Sequence, residues 1–151
     1  MRTLPLLTLH FEMNIMLRKY FSSVPIARVR NELVMVQKFP GSRAILIQDD
    51  SSPSSNPLSI NMLGRIGNLV DIYNKNLAVS AIFFGSSSSD VFSTDIDQSE
   101  LRTHYFFLNK EVQNLITKIS KCTKSTLAIY SGNFSGTTYG AFSSSQVFIP
   151  A

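Results

Sequence analysis

Apolar residues in this chain switch between a strand pattern and a helix pattern in a regular order, and this order limits the fold more than any other feature. Two β-rich runs at 33–37 and 44–48 flank the sequence Phe-Pro-Gly-Ser, which predicts a hairpin. A helical pattern capped by Ser59 follows. Its apolar stripe consists of Met62, Leu63, Ile66, Leu69, Val70 and Tyr73.

The second half of the chain repeats the alternation. Residues 78–84 form a continuous apolar run, which is typical of a strand buried on both faces. A helical pattern from about Tyr105 to Lys121 and a strand-like run at 126–130 come next. A turn at 132–136, a short helix and a strand-like run at 147–149 complete the order. This alternation predicts an α/β fold with largely parallel strands and right-handed crossovers.

The positive charge of the chain is confined to its first 30 residues. The whole chain has a net charge of +4, and residues 1–30 hold five basic side chains and one acid, which accounts for all of it. The remaining residues carry nine bases and nine acids. A neutral body lacks the basic face that follows a phosphate backbone, so we expect no direct nucleic-acid surface.

The basic segment is typical of an organellar presequence. From Met16 to Arg30 it contains no acid and mixes Ser with apolar residues, and its helical stripe leaves Arg18 and Lys19 off the apolar side. We therefore predict a mitochondrial targeting segment at residues 1–30 and location in the matrix. The alternative is a basic N-terminus without structure.

The first 15 residues do not have the length of a membrane span. Pro5, His10 and Glu12 interrupt their apolar run, so no membrane-spanning helix is predicted. This stretch is either a weak secretory signal core or an extension upstream of a start at Met16.

The supply of Cys and His limits metal and redox chemistry. One cysteine, Cys122, has no partner for an internal disulfide, and one Cys with two His cannot build a metal cluster. No metal site is therefore predicted, and His10 and His104 are expected at the surface. The serine runs at 86–89 and 143–145 lack a G-x-S-x-G elbow, so they are interpreted as loop or polar helix surface.

Three segments between residues 33 and 151 resemble the motifs of one family. Asn56 begins N-P-L-S-I-N-M-L, which resembles N-A-L-[ST]-x-x-M-[LI], and Phe92 begins F-S-T-D-I-D, which resembles F-[CS]-A-G-x-D. Lys124 begins K-S-T-L-A-I-Y-S-G, and G-T-T-Y-G follows from Gly136, similar to K-P-x-[VI]-A-x-[IV]-x-G and then G-G-G-x-[EG]. These are motifs of the crotonase, or enoyl-CoA hydratase/isomerase, superfamily. The resemblance implies a crotonase-like ββα spiral, truncated after its first turns, with residues 31–151 as a partial domain.

Within this superfamily the chain resembles the 3-hydroxyisobutyryl-CoA hydrolases. Gly140 stands where hydratases place a catalytic Glu, and Gln146 stands where the hydrolase branch tends to have Gln. Phe106 and Phe107 with Glu111 resemble the F-F-x-E-E helix start of that branch. The resemblance implies an acyl-CoA substrate and no separate cofactor.

The resemblance also assigns the candidate site. In the family, two backbone N–H groups, one from each glycine-containing turn, form an oxyanion hole for the thioester carbonyl near a helix N-terminus. By position, these donors are the amides of Ile96 and Thr137. Glu111, Asp97 and Gly136 become candidate substrate contacts. For Glu111 the ordinary alternative is a solvated helix residue, and for Asp97 it is turn structure.

The two turns depart from the family's glycines. Thr94-Asp95 replaces A-G, and Thr137-Thr138 replaces two glycines of the triplet. We expect β-branched threonines to occupy the space of a thioester, and Asp95 to repel a developing oxyanion. The catalytic acids of the hydrolase branch come after the strand that ends this sequence. We therefore predict no catalytic residue here and no activity from this chain alone.

Two functions remain open at this point. One is an acyl-CoA enzyme of the thioester hydrolase or the enoyl-CoA hydratase/isomerase type, present in part. The other is a non-catalytic structural subunit of a mitochondrial assembly such as the mitochondrial ribosome. Because the strand-like run at 147–149 would leave backbone groups unpaired, we expect a second chain or a larger assembly as partner.

Overall fold

The helices and the main sheet follow the order that the sequence predicts. The computed structural model describes residues 33–48, 55–88, 90–130 and 132–148, so the predicted targeting segment lies outside the described residues. The strands are β1 Val34–Phe39, β2 Ser42–Ile47, β3 Ala81–Ser86, β4 Val91–Ser93, β5 Ser125–Ile129, β6 Asn133–Phe134 and β7 Gln146–Phe148. The helices are α1 Ile60–Lys75, α2 Gln98–Thr103, α3 Tyr105–Lys121 and α4 Gly136–Ala141.

The main sheet has the strand order β1-β2-β3-β5-β7. Strands β1 and β2 pair in antiparallel fashion with Phe39 opposite Ser42, and the remaining neighbours run parallel. The chain reverses through Pro40 and Gly41, and Gly41 has φ +71°, a conformation that suits glycine. The predicted hairpin and the largely parallel α/β sheet are both confirmed.

Two long helices pack side by side over the sheet. Helix α1 contacts β1, β2 and α3. Its start is confirmed, because the Ser59 Oγ accepts the Met62 N–H over 3.1 Å. The largest fully buried core side chains include Ile45, Ile47, Leu58, Met62, Leu63, Ile66, Ile82, Phe84, Phe92, Tyr130 and Phe142. Within the described residues, no helix has both the length and the apolar character needed to cross a bilayer.

Strand β3 begins three residues later than the sequence pattern predicts. The Asn76 side chain accepts the Ala78 N–H over 2.9 Å, and the Asn76 carbonyl accepts the Val79 N–H over 3.1 Å, so the chain turns before the strand starts. The Ser80 N–H and hydroxyl both donate to the Gly41 carbonyl. Residues after α1 are thus fixed to the hairpin before they join the sheet.

The elements β4, β6 and α2 were not predicted. Strands β4 and β6 form a separate parallel sheet with Val91 opposite Asn133. Gly132, with φ +72°, precedes β6 at a point where any Cβ would collide with the Asp90 backbone. These elements are two to six residues long, which is too short for an apolar period to identify them.

Candidate functional site

The small sheet brings together the two segments that the family resemblance assigns to the oxyanion hole. We define the first turn as residues 93–97, which begins at the end of β4, and the second turn as residues 135–138, which follows β6. The Ser135 N–H donates to the Ser93 carbonyl over 3.1 Å. Because β4 and β6 run parallel, both turns leave the small sheet at the same edge.

The amide of Ile96, the first predicted donor, faces a carboxylate. Its N–H donates to Oδ1 of Asp95 over 2.8 Å. The Leu58 N–H donates to the Asp95 carbonyl, and the Asp97 N–H donates to the Leu58 carbonyl, which fixes the other side of this turn. Oδ2 of Asp95 accepts from the Gln98 side chain over 3.3 Å. The first turn therefore supplies its own acceptor for the amide that the family offers to substrate.

The second turn is the start of α4. Oγ of its capping residue Ser135 accepts the Thr138 N–H over 3.2 Å, and the Ser135 carbonyl accepts the Tyr139 N–H. The second predicted donor, Thr137, is thus in the first turn of a helix, where amides have no carbonyl partner within the helix. A Cβ added at Gly136 would meet no atom within 4 Å. The space beside this turn is open.

The expectation that Thr138 crowds the thioester space is wrong. This side chain is 0% exposed, and its hydroxyl donates to the Ser93 carbonyl over 3.2 Å. The hydroxyl also lies 3.2 Å from the Ser135 Oγ. Since the third residue of α4 points into the core rather than outward, Thr138 ties the second turn to the first instead of blocking it.

A floor of aromatic rings lies beneath the two turns, and the sequence analysis did not identify it. The Phe92 ring is 4.7 Å from the Tyr130 ring and 5.6 Å from the Phe142 ring, and Phe134 stacks on Tyr130 at 4.6 Å. The Tyr130 hydroxyl lies 3.5 Å from the Thr138 carbonyl. Burial, with a smaller contribution from Tyr139, raises the pKa of Tyr130. The signal was present, because Phe92 and Tyr130 lie within the motif segments, and Phe134 and Phe142 lie beside them.

Asn56, the first residue of the N-P-L-S-I-N-M-L motif, joins three parts of the site. It is 2% exposed, and its Nδ2 donates to the Ser86 Oγ over 2.9 Å and to the Phe92 carbonyl over 3.4 Å. Its φ of 44° is one that Asn tolerates better than most residues. Ser86, expected in a loop, is therefore a buried strand residue, and Asn56 acts as a structural link.

Asp97 is the N-cap of α2. Its Oδ1 accepts the Ser99 hydroxyl and the N–H groups of Ser99 and Glu100 over 2.7, 2.9 and 3.1 Å. The Ser99 hydroxyl, followed by the Glu100 N–H, holds the pKa of Asp97 below its usual range. These bonds are the turn-structure alternative that the sequence left open.

Glu111 faces α1 rather than the two turns. Its Oε2 lies 3.8 Å from the position that a Cβ on Gly64 would occupy. It contributes to an open groove of about 510 Å³ whose described lining residues all come from α1 and α3. Glu111 and the two turns are thus not brought together.

Cys122 and His104 take structural positions. Cys122 is half-buried at the end of α3, with its Sγ 3.5 Å from the Asn74 Oδ1. His104 is exposed between α2 and α3, as expected, and its Nδ1 lies 2.8 Å from the Thr103 hydroxyl. Among the described residues, no three His, Cys, Asp or Glu side chains are placed to share a metal ion.

In sequence, no family model and no curated protein matches this chain. In structure, it is similar to an enoyl-CoA hydratase/isomerase from Marinobacter aquaeolei, with TM-score 0.70 and 15% identity over 78% of this chain and 48% of that one. It is also similar to an enoyl-CoA hydratase from Bacillus anthracis, with TM-score 0.67 and 14% identity over 78% and 47%. AtuE from Pseudomonas aeruginosa gives TM-score 0.70 and 18% identity over 80% and 48%. The chain has the crotonase fold.

This crotonase-fold chain spans about half the length of the solved structures that it matches. The match covers 78 to 80% of this chain. At identities of 14 to 18%, these matches show a common fold alone. The reaction therefore has to be argued from the residues of this chain.

Proposed function

We propose that this is a mitochondrial crotonase-fold protein of acyl-CoA thioester hydrolase descent, related to the 3-hydroxyisobutyryl-CoA hydrolases, and that the chain alone does not turn over thioesters. The hydrogen bond of 2.8 Å from the Ile96 N–H to the Asp95 carboxylate carries this proposal. An oxyanion hole needs donors aimed at the place where negative charge develops. Here the Ile96 N–H, one of the two predicted donors, already donates to an oxygen of the Asp95 carboxylate.

The size of the effect supports inactivity. Loss of one oxyanion donor costs about 3 kcal/mol of transition-state stabilisation, or roughly a hundredfold in rate. A thioester oxygen at Ile96 would also have to displace an anion and then develop charge beside it. In addition, the segment 132–148 around the second turn contains no Asp, Glu or His, so it offers no carboxylate or imidazole for proton transfer.

The descent from hydrolases rests on Gly140. A Cβ at this position would meet no atom within 4 Å, so packing does not require glycine there. Hydratases place their catalytic Glu at the equivalent position. Because packing does not require a glycine at residue 140, its presence there fits the hydrolase pattern better than the hydratase pattern.

The test measures turnover and binding with the full chain. Hydrolysis of 3-hydroxyisobutyryl-CoA and hydration of crotonyl-CoA should both stay at the level of buffer. Wild-type turnover within the ordinary range of roughly 1–1000 per second would overturn the proposal. Calorimetry with butyryl-CoA should show weaker binding for wild type than for Asp95→Gly, which removes the acceptor. Asp71→Asn is the control for losing a carboxylate away from the two turns, because it removes the ion pair with Lys118 without placing a glycine inside α1.

A second candidate is a non-catalytic structural subunit of a mitochondrial assembly, such as the mitochondrial ribosome, or a partner of a second chain. The hydrogen bonds between the two turns favour this candidate. The Ser135 N–H and the Thr138 hydroxyl both donate to the Ser93 carbonyl, so these polar groups hold the fold together. Gradient sedimentation of mitochondrial extract tests it. The chain should move with a ribosomal subunit, whereas recovery only near the top of the gradient would remove this candidate.

The mitochondrial location has its own test. N-terminal sequencing of protein recovered from cells should begin between Ser22 and Glu32, after removal of the basic segment. Recovery from the cytosol with Met1 intact would contradict both the targeting segment and the matrix location.

A further inference from the structure

Three consecutive aromatic residues stand out from the start of α3. Tyr105, Phe106 and Phe107 are 64, 74 and 60% exposed. Consecutive helical residues point about 100° apart, so three exposed neighbours form a projecting corner rather than a stripe along one face. The Phe106 and Phe107 rings meet edge to face at 5.9 Å. We call these three residues the aromatic corner.

The size and shape of the aromatic corner do not suit a stable protein interface. At about 200 Å² for each aromatic side chain, its rings expose roughly 400 Å². Patches of this size on a monomer are often functional. A stable dimer buries about 800 Å² on each partner, twice the area available here, and it needs a complementary surface. A fluid lipid interface requires neither this buried area nor a complementary surface.

The charges beside the aromatic corner are positive. Exposed Arg102 precedes it, and exposed Lys110 lies one helical turn after Phe106. Residues 101–110 contain no acid. This part of the surface therefore complements an anionic partner.

The two nearest acids are turned toward α1. The Glu100 Oε2 accepts the Ile60 N–H over 2.6 Å, at the first residue of that helix. Oε2 of Glu111 lies beside Gly64, 3.8 Å from the position of an added Cβ. Neither carboxylate is directed at the projecting rings, so neither of these two acids offsets the charge of the cations beside them.

We propose that the aromatic corner inserts into an anionic lipid surface, with its rings at headgroup level and with Arg102 and Lys110 on the lipid phosphates. Aromatic side chains favour this interfacial layer, and each basic residue near an anionic leaflet strengthens association. The protein would lie on the surface without crossing it. This inference is independent of thioester chemistry.

A fluorescent reporter tests the site directly. The chain has no Trp, so Phe106→Trp places one indole in the aromatic corner of the full chain. Phosphatidylcholine vesicles with about 30% phosphatidylserine should shift its emission to the blue, and brominated lipid should quench it. Leu77→Trp is the matched control at a side chain that is 97% exposed between α1 and β3, and its emission should stay unchanged.

Variants separate the aromatic corner from the N-terminal segment, whose net charge of +4 would also favour anionic vesicles. The double variant Phe106→Ser, Phe107→Ser should weaken vesicle partitioning at least tenfold, because it removes the transfer free energy of two partly buried rings. Arg102→Gln with Lys110→Gln should weaken it about fivefold per charge, and less at high salt. Leu77→Ser should leave it unchanged.

Three results would overturn the proposal. The first is equal partitioning of wild type and the Phe106→Ser, Phe107→Ser variant. The second is Phe106→Trp emission that anionic vesicles do not alter. The third is a blue shift that follows protein concentration without lipid, together with a rise in mass by light scattering, which would assign the aromatic corner to self-association. Matching thermal melts will show that the variants are folded.

Discussion

The first turn and the second turn occupy equivalent places after β4 and β6, yet different groups face them. In the first turn, the Asp95 carboxylate accepts the Ile96 amide. In the second turn, Gly136 faces open space, and the cap uses the amides of Thr138 and Tyr139. Both turns are therefore held in place by internal hydrogen bonds, but the acceptor in the first turn is a carboxylate, and the acceptors in the second turn are the hydroxyl and carbonyl of Ser135. The bonds that hold the two turns in place are thus separate from the groups beside the predicted donor amides, so one set can change without the other.

The largest effect should come from the floor that both turns share. Phe92→Ala removes a ring that is 0% exposed and packed against Tyr130 and Phe142, so unfolding free energy should fall by about 3–5 kcal/mol. Denaturant titration measures the loss, and hydrogen exchange should rise in both turns together. Phe106→Ala, at an exposed ring, should change stability by less than about 0.5 kcal/mol. Exchange that rises in one turn only would show that the turns are held separately.

The next effect should come from the bond that couples the turns. Thr138→Val keeps the shape but removes the buried hydroxyl that donates to the Ser93 carbonyl, so stability should drop by about 1–2 kcal/mol. Thr117→Val is the control, since its exposed hydroxyl bonds only within α3. Equal stabilities of the two variants would mean that the turns do not depend on this bond.

A smaller effect is expected at Asp97, the acid of the first turn that caps α2. Asp97→Ala removes the cap of α2 and should cost about 1 kcal/mol at neutral pH. Because the folded pKa of Asp97 lies below 3.8, its ionised form stabilises the fold above that pH, and the contribution disappears as the pH falls through the folded pKa.

The difference between wild type and Asp97→Ala should therefore shrink below about pH 4. Asp97→Asn should retain most of the cap and lose its pH dependence, since the amide does not ionise. Melting temperatures at neutral and acid pH measure both. A gap between wild type and Asp97→Ala that stays constant with pH would contradict this assignment.

The smallest effect tests whether the space beside α4, just after the second turn, is open. Gly140→Ala adds a methyl group that should meet no atom within 4 Å and should favour the helical state of α4. Stability should rise by about 0.5–1 kcal/mol. Gly132→Ala is the opposite control, because its added Cβ would collide with the Asp90 backbone. Destabilisation by Gly140→Ala would show that the space beside α4 is closed at this position.

Prediction from sequence succeeded where an element is long enough to repeat its apolar pattern. Helix α3 has the bounds Tyr105–Lys121 that its pattern indicates, and Ser59 caps α1 as its side chain predicts. The site was less accessible to prediction, because α2, β4 and β6 owe their conformations to partners distant in sequence. The bond from the Ile60 amide to Glu100 spans 40 residues, and no local pattern announces it.

The direction of single side chains was also beyond sequence reasoning. Family motifs assigned the two turns, but Thr138, which was expected to occupy the space of a thioester, is buried. Whether the third residue of a six-residue helix points outward or inward depends on the packing of α4 over the aromatic floor. That packing involves Tyr130 and Phe142, whose apolar character alone did not reveal their contacts.

The bond between Asp95 and Ile96 joins adjacent residues, and this adjacency determines how it competes. A ligand attached to the chain one residue from its binding partner has an effective concentration that dissolved metabolites do not reach. A change in thioester concentration would therefore leave the bond between Asp95 and the Ile96 amide intact, whereas a substitution at residue 95 would remove it. Aspartate and glycine codons differ at a single nucleotide, so one point mutation at residue 95 separates the closed turn from the glycine that the family motif carries there.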